Sequence, residues 1–326
     1  MKLAMLNLCL CFVLAVVVSP FMIKWLRKLK FGQNILVYVE QHKGKTGTPT
    51  MGGIIFICTS IVGYFVFFNK NNTFATISIL SLLFFGVLGF LDDFIKIKLK
   101  HNEGLKPYQK VIGQFGISLI VAIYIYMSDM VGDVIRLPFS NIEWEIGFWI
   151  VPFVVVFFIA VVNSVNLIDG LDGLCAGVSS IVILVFTIIL MVISKGIEGV
   201  LLFESNNLIV VSFGVAGAVL GFLCFNSFPA KVFMGDTGSL ALGGFIASSF
   251  ALTGQYLLIM IVGVAYLVTS LSVILQVGCF KMFRKRIFKM SPLHHHFEAS
   301  VNESKVTSVY ILLTIVIGVL SICLYL

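Results

Sequence analysis

The chain has 326 residues, of which 59% are hydrophobic and only 11% are charged, and its formal net charge is +7. That much apolar surface exceeds what a water-soluble domain can bury, so the composition excludes a soluble enzyme and places the chain in a membrane. The positive excess is spread over many loops and is not a nucleic-acid footprint; anionic head groups or anionic substrates suit it better.

Apolar stretches of about 20 residues, each able to cross a ~30 Å hydrocarbon layer, recur along the whole length. They begin near Leu3, Met51, Ile77, Gln109, Gly147, Leu174, Asn206, Gly238, Tyr256 and Thr307. The expectation is an all-α polytopic membrane protein with about ten transmembrane helices, forming one domain over residues 1–326. The first stretch has Lys2 before it and Lys24, Arg27, Lys28 and Lys30 after it, the reverse of a secretory signal. It reads as a retained helix with its N-terminus outside. Following the alternation, only Lys2, Lys70, Arg136 and Lys195 fall on the outer side, a bias that puts both termini outside.

Every unusual polar stretch then faces inward. In chain order these are KGKTGTPTMGG, LDDFIKIKLK, NSVNLIDGLDG, FNSFPAKVFMGDTGS and FRKRIFKMSPLHHHFE. The one elaborate outer connection, SDMVGDVIRLPFSNIEWEIG, has scattered β-formers that predict a hairpin. The seven cysteines lie in or beside apolar segments with no CxxC pair, and read as small hydrophobes rather than disulfides or zinc ligands.

Carboxylates dominate the inner face: Asp92, Asp93, Asp169, Asp172 and Asp236, accompanied by Asn163, Asn166 and Asn226, with Lys45, Lys96, Lys110 and Lys231 near them in sequence. Acids beside a span are costly unless paired, hydrated or bound to a cation, so they carry a functional expectation. Oxygen ligands beside lysines suit Mg²⁺ holding a phosphate, whereas zinc prefers histidine or cysteine. Asn166, Asp169 and Asp172 are spaced by three and would share a stripe if the helix continued through them, although Gly170 and Gly173 weaken it. Asp236 sits between Gly235 and Gly238, where a helix N-terminus can present N–H groups to an anion. GKT at Gly44–Thr46 is not a P-loop, because Val39 stands where the first glycine belongs. His294, His295 and His296 are consecutive, so a regular helix cannot aim all three at one metal; one or two are expected to reach into the pocket.

The motifs GTPTMGG, LDDFIK, NLIDGLDGL, FMGDTGSLALGG and PLHHHFE, running in this order from Thr48 to Glu298, resemble those of the bacterial phospho-N-acetylmuramoyl-pentapeptide transferases. The aspartate motifs alone indicate only the wider polyprenyl-phosphate hexosamine-1-phosphate transferase superfamily; GTPTMGG and the histidine segment point to the muramoyl branch. The resemblance implies a magnesium-dependent transfer of phospho-N-acetylmuramoyl-pentapeptide from its UDP carrier to undecaprenyl phosphate at the cytoplasmic face of the bacterial inner membrane. Lipid I and UMP are the implied products, and a homodimer the implied assembly. By the same resemblance Asp92 and Asp93 are the catalytic pair, and Asp236 is the metal-associated aspartate with which they share the ion. Asn166, Asp169 and Asp172 are pocket residues, and Phe233 lies near the uracil. Lys45, Thr50, Lys110, Gln276, His294, His295 and His296 match further substrate-contacting positions, and Lys96 and Asn226 of the inner-face cluster are expected as substrate contacts beside them. A sister enzyme using an N-acetylglucosamine donor and, more remotely, a cation transporter with intramembrane acids are the alternatives.

Overall fold

Hydrocarbon offers no partner to a backbone amide, so an apolar chain folds there as helices that satisfy their own N–H and C=O groups. The computed structural model describes residues 1–28, 47–67, 72–99, 104–140 and 142–326. Its first helices are α1 (Lys2–Lys28), α2 (Gly53–Val66), α3 (Thr73–Leu99), α4 (Pro107–Met127), α5 (Ile150–Ile168) and α6 (Leu174–Ile193). They are followed by α7 (Gly199–Asn226), α8 (Gly235–Leu252), α9 (Leu258–Val262), α10 (Val264–Phe283), α11 (Leu293–Glu298) and α12 (Glu303–Tyr325). The chain is an all-α polytopic membrane protein.

Eight of the ten expected segments are helices long and apolar enough to cross a membrane. The second, α2, has 14 residues and the eighth, α8, has 18. At 1.5 Å per residue these reach only about 21 and 27 Å. Helix α8 is the centre of the bundle: every residue from Thr237 to Leu252 is buried, with α3 and α5 packed along it. Its glycines, alanines and serines explain both its low hydropathy and the close approach of its neighbours. The ninth segment is broken at Gly263 into the short α9 and the longer α10.

Two polar contacts fix one end of this scaffold. Buried Glu204 of α7 accepts from Thr73 N at 3.0 Å and Phe74 N at 2.8 Å, capping the start of α3. At the same end of the bundle the predicted hairpin forms, with β1 (Val134–Arg136) antiparallel to β2 (Glu143–Glu145). Arg136 Nη1 donates to the carbonyl of Thr253 at 2.8 Å, so the hairpin closes the C-terminal end of α8, opposite Asp236 at its N-terminal end. All seven cysteines are free thiols.

The glycine stripe of α7 packs within the chain. A Cβ on Gly217 would strike the carbonyl of Leu8, one on Gly221 would lie 2.6 Å from the carbonyl of Phe12, and Gly214 faces Asn7. Asn7 Nδ2 adds a bond to the carbonyl of Val210 at 2.9 Å. Gly217→Val is therefore expected to overpack the α1–α7 contact at a cost of about 1–3 kcal/mol. A lowered thermal unfolding midpoint in detergent would show it, and an unchanged midpoint would contradict this packing.

Candidate active site

Asp92 and Asp93 end the apolar part of α3, and Asp236 opens α8; one carboxylate oxygen from each lies within 4.8 Å of the others. Asp92 and Asp93 are 2% and 1% exposed. Such a cluster needs cations, and two lysines supply them. Lys96, one turn beyond Asp92, donates to Asp236 Oδ2 at 2.7 Å and lies 2.6 Å from Asp92 Oδ2 and 3.7 Å from Asp93 Oδ1. Lys110, from the first turn of α4, donates to the same Asp236 oxygen at 2.9 Å and lies 3.8 Å from Asp92 Oδ2. The side chains of Asp236, Lys96 and Lys110 stay 18%, 22% and 17% exposed, so a ligand can reach them.

Each acid is held by different donors. Asp236 Oδ1 accepts from Asn166 Nδ2 at 2.7 Å, and the same amide donates to Ser239 Oγ at 2.8 Å. Asp93 Oδ2 accepts from both Thr237 N, at 2.9 Å, and Thr237 Oγ1, at 2.7 Å. The N-terminus of α8 thus does present a backbone N–H to an anion, namely Asp93 of the same chain. Asp92 Oδ1 accepts from Leu105 N at 2.8 Å. Gly235 allows this convergence: its φ is +73°, and a Cβ there would sit 2.6 Å from Asp93 Oδ2 and 2.8 Å from Thr50 Oγ1.

These residues fit a divalent metal ion. Asp92 Oδ2 and Asp93 Oδ1 are buried oxygens that no donor meets with hydrogen-bond geometry, and the donor set is oxygen alone, as a hard cation requires.

The remaining residues divide by what they touch. Helix α5 stops at Ile168, so Asn166, Asp169 and Asp172 do not continue as one helical stripe; Gly170 and Gly173 turn the chain, Gly173 at φ +74°. Asp169 keeps partial exposure, and no hydrogen bond to its carboxylate occurs among the described residues. Burial, and then the negative charges of Asp236, Asp93 and Asp172, hold its carboxyl well above the usual range. Asp172 turns inward, its Oδ2 accepting from Ala230 N at 3.0 Å. Asn226 Nδ2 closes the following loop on the carbonyl of Val232 at 3.0 Å, and Asn163 exchanges amide bonds with Gln114. Phe233 is half-buried, its backbone paired with Pro49 and Gly52, which brings GTPTMGG against the start of α8. Thr50 is buried beside Gly235. Lys45 falls outside the described residues.

Gln276 uses its amide to brace the loop after α10, accepting from Ile287 N and Phe288 N, both at 3.0 Å, and donating to the carbonyl of Phe288 at 3.1 Å. The three histidines split as their consecutive spacing requires. His294 and His295 turn Nε2 toward Gly170, where a Cβ would collide with the first and lie 2.8 Å from the second. His296 Nδ1 instead accepts from Lys289 N at 3.1 Å. His295 Nδ1 pairs with Glu298 Oε2 at 2.7 Å.

Thr237, Ser239, Glu298 and Glu303 were not singled out in the sequence. Thr237 and Ser239 do sit within the motif around Asp236, and two acids within eight residues of the histidines were a further signal.

The structure is thus a helical membrane bundle with a partly exposed acidic centre paired to two lysines. Residues 74–255 match the family described as glycosyl transferase family 4. A phospho-N-acetylmuramoyl-pentapeptide-transferase of Clostridium novyi (strain NT) is 43% identical over 99% of this chain and 98% of its own length. Bearers of the same name are 42% identical over 96% and 95% in Clostridioides difficile (strain 630), and 44% identical over 89% and 88% in Thermoanaerobacter sp. (strain X514). The chain belongs to the phospho-N-acetylmuramoyl-pentapeptide-transferase family.

His294 is fully buried, and neither ring nitrogen has a hydrogen-bond partner. Burial, reinforced by His295, lowers its pKa from 6.5 to about 3, so it is neutral at pH 7. Between those two values the unfolded chain binds the proton and the folded chain does not, so stability falls as pH drops through about 6.5. The loss from pH 7 to pH 5 is expected to be about 2 kcal/mol. Comparing unfolding midpoints of wild type and His294→Gln at both pH values checks this; equal acid sensitivity would contradict it.

Proposed function

We propose that this protein transfers phospho-N-acetylmuramoyl-pentapeptide from its UDP carrier to undecaprenyl phosphate, forming lipid I and UMP. The observation that carries the reading is the pairing of Lys96 and Lys110 with one oxygen of Asp236, beside Asp92 and Asp93. Three carboxylates and two ammonium groups leave one net negative charge, and a divalent cation turns that into one net positive charge, suited to phosphates. The names of the relatives supply the transferred group, phospho-N-acetylmuramoyl-pentapeptide, and the resemblance of the motifs supplies the UDP carrier and the lipid acceptor.

We assign the cation as Mg²⁺, held by Asp236 together with Asp93 and leaving Asp92 for proton transfer. When bound, it supplies charge neutralisation for the diphosphate and for the departing UMP. The two lysines draw the phosphates of donor and acceptor together against their mutual repulsion. Asn166 and Thr237 keep Asp236 and Asp93 in place, while Asp169, the His294–His295 pair and Phe233 line the way to the donor. Asp92 is assigned as the base, because both Thr237 donors are spent on Asp93 whereas Asp92 Oδ2 faces the lysines. The demand is modest, since the second pKa of a phosphate monoester is about 6. An oxygen of the lipid phosphate then attacks the sugar-bearing phosphorus. The bond between the two donor phosphates breaks, and UMP leaves with its electron pair.

The lysine and arginine bias supports a ten-span topology with both termini outside and the site at the cytoplasmic face of the bacterial inner membrane. The homodimer is carried over from the family.

Purified protein with polyprenyl phosphate and Mg²⁺ is expected to release UMP with the muramoyl-pentapeptide donor and not with UDP-N-acetylglucosamine, and to stop on chelation. Product from the glucosamine donor alone would move the chain to the sister activity. Asp236→Asn should lower kcat by ~10²-fold or more. Direct attack also predicts no stoichiometric UMP burst when the lipid acceptor is omitted; such a burst would instead establish an aspartyl intermediate.

A further inference from the structure

We propose that Glu303, in the first turn of α12, is a positioning residue for the transfer centre, a role that rests on the function proposed above. Its Oε1 accepts from Asp172 N at 2.7 Å, across 131 residues of sequence. One turn further on, Thr307 Oγ1 donates to the carbonyl of Asp172 at 3.2 Å. Asp172 passes the connection on, since its Oδ2 accepts from Ala230 N at 3.0 Å.

One residue, Asp172, thereby ties α12 to both loops that deliver the site. The first carries Asp169, between α5 and α6; the second runs from α7 through Phe233 to Gly235 and Asp236. Glu303 and Asp172 are 7% and 3% exposed, so water competes little for these bonds. Nor is Glu303 needed to cap its own helix. Asn302 does that, its Oδ1 accepting from Ser304 N at 3.0 Å. On the other side of the same loop, His294 and His295 close over Gly170. The segment from α11 into α12 therefore grips the Asp169 loop from two directions, and Glu303 is its charged contact with the backbone of that loop.

The test compares Glu303→Ala, Glu303→Gln and Thr307→Val in the full-length protein. Hydrogen–deuterium exchange is followed over residues 166–177, together with kcat and KM for the muramoyl-pentapeptide donor. Loss of a charge-assisted bond is expected to raise exchange in this loop and to raise KM about tenfold in Glu303→Ala, with a smaller change in kcat. Glu303→Gln, whose amide oxygen still accepts from Asp172 N, should restore most of both, and Thr307→Val should shift both in the same direction by less. Unchanged loop exchange in Glu303→Ala, or raised exchange with wild-type KM, overturns the proposal. So does exchange rising across all helices with Glu303→Gln no better than Glu303→Ala, which would make the role merely structural. If the wild-type protein transfers nothing, the functional reading fails and the exchange data alone decide whether the clamp exists.

Discussion

Three carboxylates crowded at the end of a membrane bundle repel one another where little water can screen them, and the structure around them is arranged to offset that repulsion. Lys96 lies one turn after Asp92 on the same helix, so the element that brings two acids also brings their first counter-charge. Lys110 arrives from α4 and completes the pairing on Asp236. The N-terminus of α8 adds the Thr237 N–H, the Thr237 hydroxyl and the positive end of a helix dipole to Asp93. A site balanced in this way is one cation short of attracting phosphates, which is the demand of joining a lipid phosphate to a nucleotide sugar.

That balance depends on close helix packing. Gly53 meets the backbone of Gly238, and Gly89 of α3 leaves room for the carbonyl of Asp236. Asp92 and Asp93 on α3 and Asp236 on α8 are displayed by packed helices rather than by a loop, α8 being buried along nearly its whole length. The hairpin held by Arg136 and the α3 cap from Glu204 secure the opposite end of the bundle. Transport sites lie on broken helices near the bilayer midplane. Here Asp92 and Asp93 close the apolar part of the unbroken α3 and Asp236 lies in the first turn of α8.

Much of this was legible in the linear chain because hydrocarbon permits few solutions: ten apolar segments, a hairpin cue and polar stretches recurring at alternate loops. The convergence of Asp92, Asp93, Asp236, Lys96, Lys110 and Asn166 follows from the same alternation. What misled was local periodicity. Asn166, Asp169 and Asp172 share a spacing of three, yet the helix ends at Ile168, and the last of them is spent on the backbone of Ala230. Gln276 and Asn226 likewise brace loops, because a polar side chain beside a span is as useful for satisfying buried backbone groups as for holding a ligand.

The sequence by itself determined the membrane environment, the helical class, the family and the residue types of the acidic centre, since these depend on composition, hydrophobic length and motif order. Only the tertiary structure decided which lysine meets which carboxylate, that α8 lies at the centre, that the α7 glycines pack on α1, and that Glu303 reaches Asp172. Those contacts join residues as many as 203 positions apart, as between Asn7 and Val210. Their partners are chosen by three-dimensional packing and charge compensation, which no local pattern of residues encodes.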